Sequence, residues 1–290
     1  MHRFILHNDE LHEASEKLLS PGQVGLLSGW GVFSTIKVID GVLFAFERHW
    51  ARMSRDAALM HVPLPGDATQ LENNLLRLVE KNRAFLSTMR VVVVRNRGGI
   101  WEAPDQTRSS DVIAFTSDIK DWGESVKLNY VRQARHAASV FAGTKILAWA
   151  MNLTWLEEAQ SQGFDEVVLL NERDEVAECT SANIFAAKGD QVWTPPLASG
   201  CLPGITRELL LNEVRAPGFR VAEKVLTPAD LESADEVFIT STTRDLLPVS
   251  MIGKRAIRNA SQAREALQTA FTRYVDDYVR AHKRRPAPIR

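Results

Sequence analysis

The chain has 290 residues, 45% hydrophobic and 24% charged, with a formal net charge of -1. That composition is ordinary for a globular protein and long enough for two modest domains, and the near-zero charge leaves no global field to draw nucleic acid or an anionic membrane. Cys179 and Cys201 lack CxxC spacing and the seven histidines form no HxxxH or HExxH pattern, which argues against a disulfide scaffold and a structural zinc site. No metal is expected. The N-terminus has no apolar h-region and no run is long enough to cross a bilayer, so a cytoplasmic protein is expected. The basic end, Lys283-Arg284-Arg285 followed by Pro286 and Pro288, reads as a solvated tail.

Phe4 to His7 reads as an opening strand, and the glycine-punctuated stretch from Gly22 to Phe33 leads to a hairpin. There Ser34 to Ile39 alternates in the strand period, Asp40-Gly41 is a strong turn signal, and Val42 to Phe46 returns. Arg48 to His61 is an amphipathic helix with Trp50, Met53, Ala57 and Met60 along one face, and it carries Arg52. After Pro63 and Pro65, Ala68 to Asn82 forms a second helix around Leu71, Leu75, Leu78 and Val79. Met89 to Val94 is a β-branched central strand left by the cationic loop Arg95-Asn96-Arg97-Gly98-Gly99, and Val112 to Thr116 is a further strand. Ser117 to Gly123 is the expected hinge. The first domain, 1–120, is thus an α+β unit with two helices on one antiparallel sheet.

The second domain, 121–290, opens with the strand Val126 to Val131. From Lys145 to Gln162 the pattern is helical, ended by Gly163. Val167 to Leu170 and Ile184 to Ala187 read as two paired strands carrying Glu178 and Asn183 between them, and Val192 to Thr194 follows. A helix runs from Ile205 to Arg215, with Pro203 before it and Glu208 in its first turn. Val237 to Thr240 is a buried strand running into Ser241-Thr242-Thr243-Arg244, Ile252-Gly253-Lys254 makes a turn, and Gln262 to Val279 is the terminal helix.

Three features converge on one chemistry. Lys145, immersed in apolar and small neighbours, is suited to be a nucleophilic amine, because desolvation favours the uncharged form. Glu178 precedes Thr180, Ser181 and Asn183, and a carboxylate there can hold a ring nitrogen protonated. The helix start at Gly204-Ile205-Thr206 can hold a phosphate. Together they describe a pyridoxal phosphate site. Taken singly, each has a plainer reading: a snorkelling lysine, an edge-strand charge, turn residues and helix capping.

The order Lys145, Glu178-Cys179-Thr180-Ser181-Ala182-Asn183-Ile184-Phe185, Thr194-Pro195, Leu202-Pro203-Gly204-Ile205-Thr206-Arg207, Thr240-Ser241-Thr242-Thr243 resembles the class IV aminotransferases. This is the fold type IV pyridoxal phosphate family, which includes branched-chain and D-amino acid aminotransferases and aminodeoxychorismate lyase. Gly29-Trp30-Gly31-Val32-Phe33 and His49-Trp50-Ala51-Arg52-Met53 extend the likeness over nearly the whole chain. The resemblance implies a two-domain α+β fold, with a smaller N-terminal domain and a larger C-terminal domain of strands and packed helices. It implies Lys145 as the Schiff-base lysine and acid/base, Glu178 at the pyridine nitrogen, and Arg52 at the phosphate with Ile205, Thr206, Ser241 and Thr242. Ser181 and Asn183 would support the cofactor, and a homodimer is implied.

On the substrate side the sequence departs from each member's pattern. Ser34 and Thr35 stand where branched-chain enzymes carry an acidic residue and a glycine, and Ala150 stands where they place a tyrosine. Phe33 replaces the tyrosine of D-amino acid enzymes, and Gly98-Gly99-Ile100-Trp101-Glu102 replaces their Arg-x-His carboxylate trap. Thr35 resembles the small hydroxyl of the lyase, and Arg95 or Arg97 is placed to bind a carboxylate. Phe33, Trp30 and Trp149 either line an apolar pocket or pack in the core. The first expectation is transamination between a branched-chain L-amino acid and a 2-oxo acid. The rivals are aminodeoxychorismate lyase, D-amino acid aminotransferase, a non-enzymatic binder in the same cleft and a cofactor-free imine-forming aldolase.

Overall fold

The computed structural model describes residues 1–258, 260 and 262–283, so the tail residues Arg284, Arg285, Pro286 and Pro288 lie outside it. There are two compact units. One comprises residues 1–120 with 145–148 and 275–283; the other comprises 121–144 and the described residues of 149–274.

The first unit contains β1 (Phe4–His7), β2 (Glu10–Glu13), the short helix α1 (Val24–Ser28), β3 (Gly31–Ile39) and β4 (Val42–Leu43). Then come α2 (Phe46–Leu59), α3 (Ala68–Asn82), β5 (Ser87–Arg95) and β6 (Ser110–Ser117). The six strands form an antiparallel sheet in the order β2-β1-β6-β5-β3-β4. Strand alternation sends Val32, Ile36, Val38, Met89, Val91 and Val93 to the face covered by Met53, Ala57, Leu71, Leu75 and Leu78 of α2 and α3. Phe33, Val92 and Val94 go to the other face, where Ile113, Phe115 and Leu147 join them. The returning strand of the hairpin is shorter than the expected Val42 to Phe46. Ala45 adopts a left-handed conformation (φ 54°) and its carbonyl accepts from the N–H groups of Arg48 and His49, so the chain turns into α2 at Phe46.

The helix expected from Lys145 is also displaced. Lys145–Ala148 is extended backbone laid along β3: Phe33 N–H donates to the Lys145 carbonyl (3.1 Å), and Leu147 N–H donates to the Gly31 carbonyl (3.0 Å). The approach needs glycine at 31, where a Cβ would stand 2.5 Å from Leu147 Cδ1. Long-range strand pairing thus overrides a stretch whose composition suits a helix.

The second unit contains β7 (Val126–Arg135), α4 (Ala150–Ser161), β8 (Glu166–Asn171), β9 (Val176–Cys179), β10 (Asn183–Lys188) and β11 (Gln191–Thr194). It continues with α5 (Ile205–Asn212), β12 (Arg220–Glu223), α6 (Pro228–Glu232), β13 (Glu236–Ser241), β14 (Asp245–Ile252) and β15 (Arg255–Ala256). The sheet order is β12-β11-β10-β13-β14-β7-β8-β9, with β15 on β14, and the pairs β11/β12, β14/β7 and β7/β8 are parallel. Every residue of β8 is buried, as in a strand covered on both faces. Val167 and Leu169 pack with Ala159 and Trp155 of α4, while Val168 and Leu170 join the cluster around Leu231 and Val237.

The strand pair expected around Glu178 is rearranged. Asp174 (φ 57°) turns the chain straight back, so β8 pairs with β9, which holds Glu178 itself. Strand β10 pairs instead with β11 and β13. The terminal helix α7 (Gln262–His282) outlasts its expected end at Val279, and Glu236 caps its start by accepting from Ala263 and Arg264 N–H (2.9 and 3.0 Å). Its last turns belong with the first unit, where Tyr278 packs on Phe44 and donates to Glu47 (2.6 Å).

Candidate active site

In the first unit, three side chains meet on the sheet face opposite the helices. The Phe33 ring has Lys145 Nζ 4.4 Å from its centre and the Arg90 guanidinium 3.9 Å from it. Thr35 and Arg90 are direct cross-strand partners on β3 and β5. Arg90 is half-buried, and burial lowers its pKa, yet a guanidinium so far from neutrality stays charged. Asp56, buried on α2, accepts the Lys145 N–H at 3.0 Å and fixes the backbone that carries the amine.

On the helix side of β3, Ser34 points at α2. Its Oγ accepts from Arg52 Nη2 (2.9 Å) and lies 2.7 Å from His49 Nδ1. Both partners are buried, Arg52 at 8% and His49 at 1% exposure. His49 is held well below its ordinary pKa by burial first, then by the charges of Arg52 and Lys145. Two other sequence candidates face elsewhere. Arg95 lies over Trp30 (4.2 Å) with its Nε donating to the Arg97 carbonyl, and Arg97 pairs with Glu102 (2.9 Å). Trp30 itself packs against the helix-side core and donates to the Met60 carbonyl (2.7 Å).

In the second unit, Glu178 is 8% exposed and both its oxygens accept: Oε1 from Arg135 Nε (3.0 Å), Oε2 from the Leu202 N–H (3.0 Å). Arg135 is steadied by Asn152, which in turn donates to the Thr180 carbonyl (2.9 Å). The Leu202 contact ties Glu178 to the turn before α5. Asn183 donates to the Leu202 carbonyl (2.8 Å), and its Oδ1 lies 2.0 Å from where a Cβ on residue 204 would stand, so Gly204 is a steric necessity. As N-cap, Gly204 offers no side chain, so the first-turn N–H groups of Ile205 and Thr206 receive no N-cap side-chain hydrogen bond.

Behind this turn lies Glu166, 1% exposed, which accepts from Thr180 N–H and Oγ1, Ser181 Oγ (2.9 Å) and Arg244 Nη2 (3.4 Å). Arg244 stacks on Trp122 (3.7 Å) and also reaches the Ser181 carbonyl and Ser241 Oγ. One buried pair thus links the Ser181 turn to the Ser241-Thr242 strand end. Ser181 and Asn183 both bond within the protein, Ser181 to Glu166 and Asn183 to the Leu202 carbonyl.

Arg90, Arg135 and Glu166 escape the sequence reading, and His49 enters it only as part of the segment His49-Trp50-Ala51-Arg52-Met53, with no role of its own. Arg90 was signalled by the strand period, as the charged residue sharing the face of Phe33 and Thr35 across the pair. Glu166 reads only as the polar residue before an apolar run, and nothing local marks it as a hub. No group of three or more His, Cys, Asp or Glu suited to a metal occurs among the described residues.

The family model for amino-transferase class IV matches residues 31–252. The chain belongs to the class IV aminotransferases. It is 30% identical over 258 residues to a putative branched-chain-amino-acid aminotransferase of Methanocaldococcus jannaschii, covering 88% of this chain and 90% of that one. A D-alanine aminotransferase of Bacillus licheniformis is also 30% identical, over 255 residues and 87% and 89% of the two chains. Among solved structures, the branched-chain amino acid aminotransferase of Escherichia coli superposes with a TM-score of 0.87 at 22% identity, over 96% of each chain, which shows the same fold. The chain is therefore a transaminase dependent on pyridoxal 5'-phosphate. Its residues fit that group: Glu178 is an acceptor-only carboxylate, Arg52 a buried cation, and α5 a helix start with no N-cap side-chain hydrogen bond. Among the described residues no helix is long and apolar enough to cross a membrane.

Proposed function

We propose that the amino donor is a branched-chain L-amino acid and the acceptor a 2-oxo acid. The observation that carries this reading is the sheet face around Phe33. An amine, Lys145 Nζ, and a cation, Arg90, share one aromatic ring amid Val92, Val94, Ile113, Phe115 and Leu147. An aliphatic side chain suits that surface and a carboxylate suits Arg90.

Pyridoxal 5'-phosphate, when bound, supplies a ring that withdraws electrons from the substrate Cα. Lys145 Nζ anchors the cofactor and then carries the proton to and from that carbon. Glu178, steadied by Arg135 and the Leu202 N–H, holds the proton on the ring nitrogen. Arg52, the N–H groups of Ile205 and Thr206, and the hydroxyls of Ser241 and Thr242 bind the phosphate. Ser181 and Asn183 act through the protein, fixing the turns on which these groups sit. A homodimer and a cytoplasmic location complete the proposal, on the family likeness alone.

The branched-chain and D-alanine relatives are equally similar, so identity does not choose the substrate. Single-turnover mixing of the cofactor-loaded protein with L-leucine, D-alanine or aminodeoxychorismate does. L-Leucine should convert the cofactor to its amine form fastest; faster conversion by D-alanine, or release of pyruvate from aminodeoxychorismate, would reassign the substrate.

A further inference from the structure

The contact between Ser34, His49 and Arg52 has a direction that hydrogen-bond chemistry dictates. A guanidinium can only donate, so Ser34 Oγ accepts from Arg52 Nη2. The hydroxyl has a single proton, and the other close partner is His49 Nδ1 at 2.7 Å. Were Oγ to accept from both neighbours, the hydroxyl proton and Nε2 would each be left without a partner, so the arrangement that strands fewest groups sends the proton to Nδ1, which makes Nδ1 an acceptor and puts the imidazole's own proton on Nε2. Nε2 is buried and meets no hydrogen-bond partner among the described residues. A space-filling role would be better served by an apolar ring, which strands no donor. The imidazole earns its place through Nδ1.

We propose that Ser34 and His49 are positioning residues for Arg52, forming a neutral chain that fixes how the guanidinium faces the phosphate ester of the cofactor; this rests on the cofactor reading above. The chain runs one way. His49 Nδ1 aligns the Ser34 hydroxyl, the aligned lone pair of Ser34 receives Nη2, and the guanidinium plane is set. A carboxylate in place of Ser34 would orient the same group while competing with the phosphate for its charge. The hydroxyl orients it without adding a negative charge. The role is confined to the phosphate: neither Ser34 nor His49 touches the atoms that react.

The test compares pyridoxal 5'-phosphate with pyridoxal, which lacks the phosphate, as ligands of the full chain stripped of cofactor. Ser34→Ala and His49→Phe should each weaken pyridoxal 5'-phosphate about tenfold and leave pyridoxal within about twofold. In Arg52→Met the further change His49→Phe should have no effect on either ligand, as expected for residues acting in series. Equal losses for both ligands, no loss for either, or additive effects with Arg52→Met would overturn the proposal. Nitrogen-15 histidine spectra of the unmodified protein give a reading independent of variant folding. They should show His49 protonated at Nε2, and a proton on Nδ1 would contradict the chain. A wild-type protein that binds neither ligand would refute the cofactor assignment itself, an outcome distinct from variants that bind normally.

Discussion

Lys145 is held by its neighbours at both backbone and amine: Asp56 takes its N–H, Phe33 N–H binds its carbonyl, and the Phe33 ring faces Nζ at 4.4 Å. Rigid placement is what an amine that must meet one carbon repeatedly requires. Lys145→Ala should abolish turnover and the visible absorbance of the bound cofactor, whereas the chain should still fold, since the contacts that fix this segment are made by its backbone. A colourless but fully active variant is the opposing result. His49 gives a second prediction. The native state keeps this imidazole neutral, while an unfolded chain takes up the proton as the pH falls through about 6.5. The unfolded state then binds more protons, so stability is greatest above that pH and declines below it. Denaturant midpoints of His49→Phe should fall less steeply between about pH 6.5 and 5 than those of the wild type. An unchanged slope would mean that the imidazole is not buried neutral.

At the scale of elements, the site depends on turns pinned by buried polar groups. The Glu166–Arg244 pair joins the turn between β9 and β10 to the turn between β13 and β14. Removing one member leaves the other buried and uncompensated, so Glu166→Ala should lower stability by about 3–5 kcal/mol. The double change Glu166→Gln with Arg244→Met should recover a substantial part, and a loss equal to the sum of the singles would show that the two do not act as a pair. Such a hub is invisible to local pattern, because its members lie 78 residues apart in sequence. What local pattern does reveal are elements whose signal is self-contained. The helix Ala68–Asn82 and the strand Phe4–His7 end where capping and alternation place them. The stretch Lys145–Ala148 is misread as helix because its conformation comes from β3, more than 100 residues earlier, and Gly31 is the clue that a chain must pass there.

At the scale of the whole molecule, the groups proposed to hold the cofactor are found in both units. The amine, Arg52 and the Phe33 face lie in the first unit; Glu178 and the α5 start lie in the second. Their order along the chain was legible because each sits beside a recognisable run: glycines before Phe33, hydroxyls after Glu178, Pro203-Gly204 before α5. The substrate face was less so. Arg95 and Arg97 stand out in the sequence, but Arg95 lies over Trp30 and donates to the Arg97 and His61 carbonyls and Arg97 pairs with Glu102, whereas Arg90 is hidden in a β-branched strand and only the cross-strand pairing with Thr35 brings it to light. Lys145 and Glu178 are proposed to act on the same ring, and steady-state turnover of the cofactor-loaded Glu178→Gln protein tests this most directly. This variant should bind pyridoxal 5'-phosphate and stay coloured through Lys145, yet turn over about a hundredfold or more slowly, the scale expected when a group stabilising transition-state charge is removed. Turnover within about twofold of the wild type in a fully loaded Glu178→Gln protein would contradict the account.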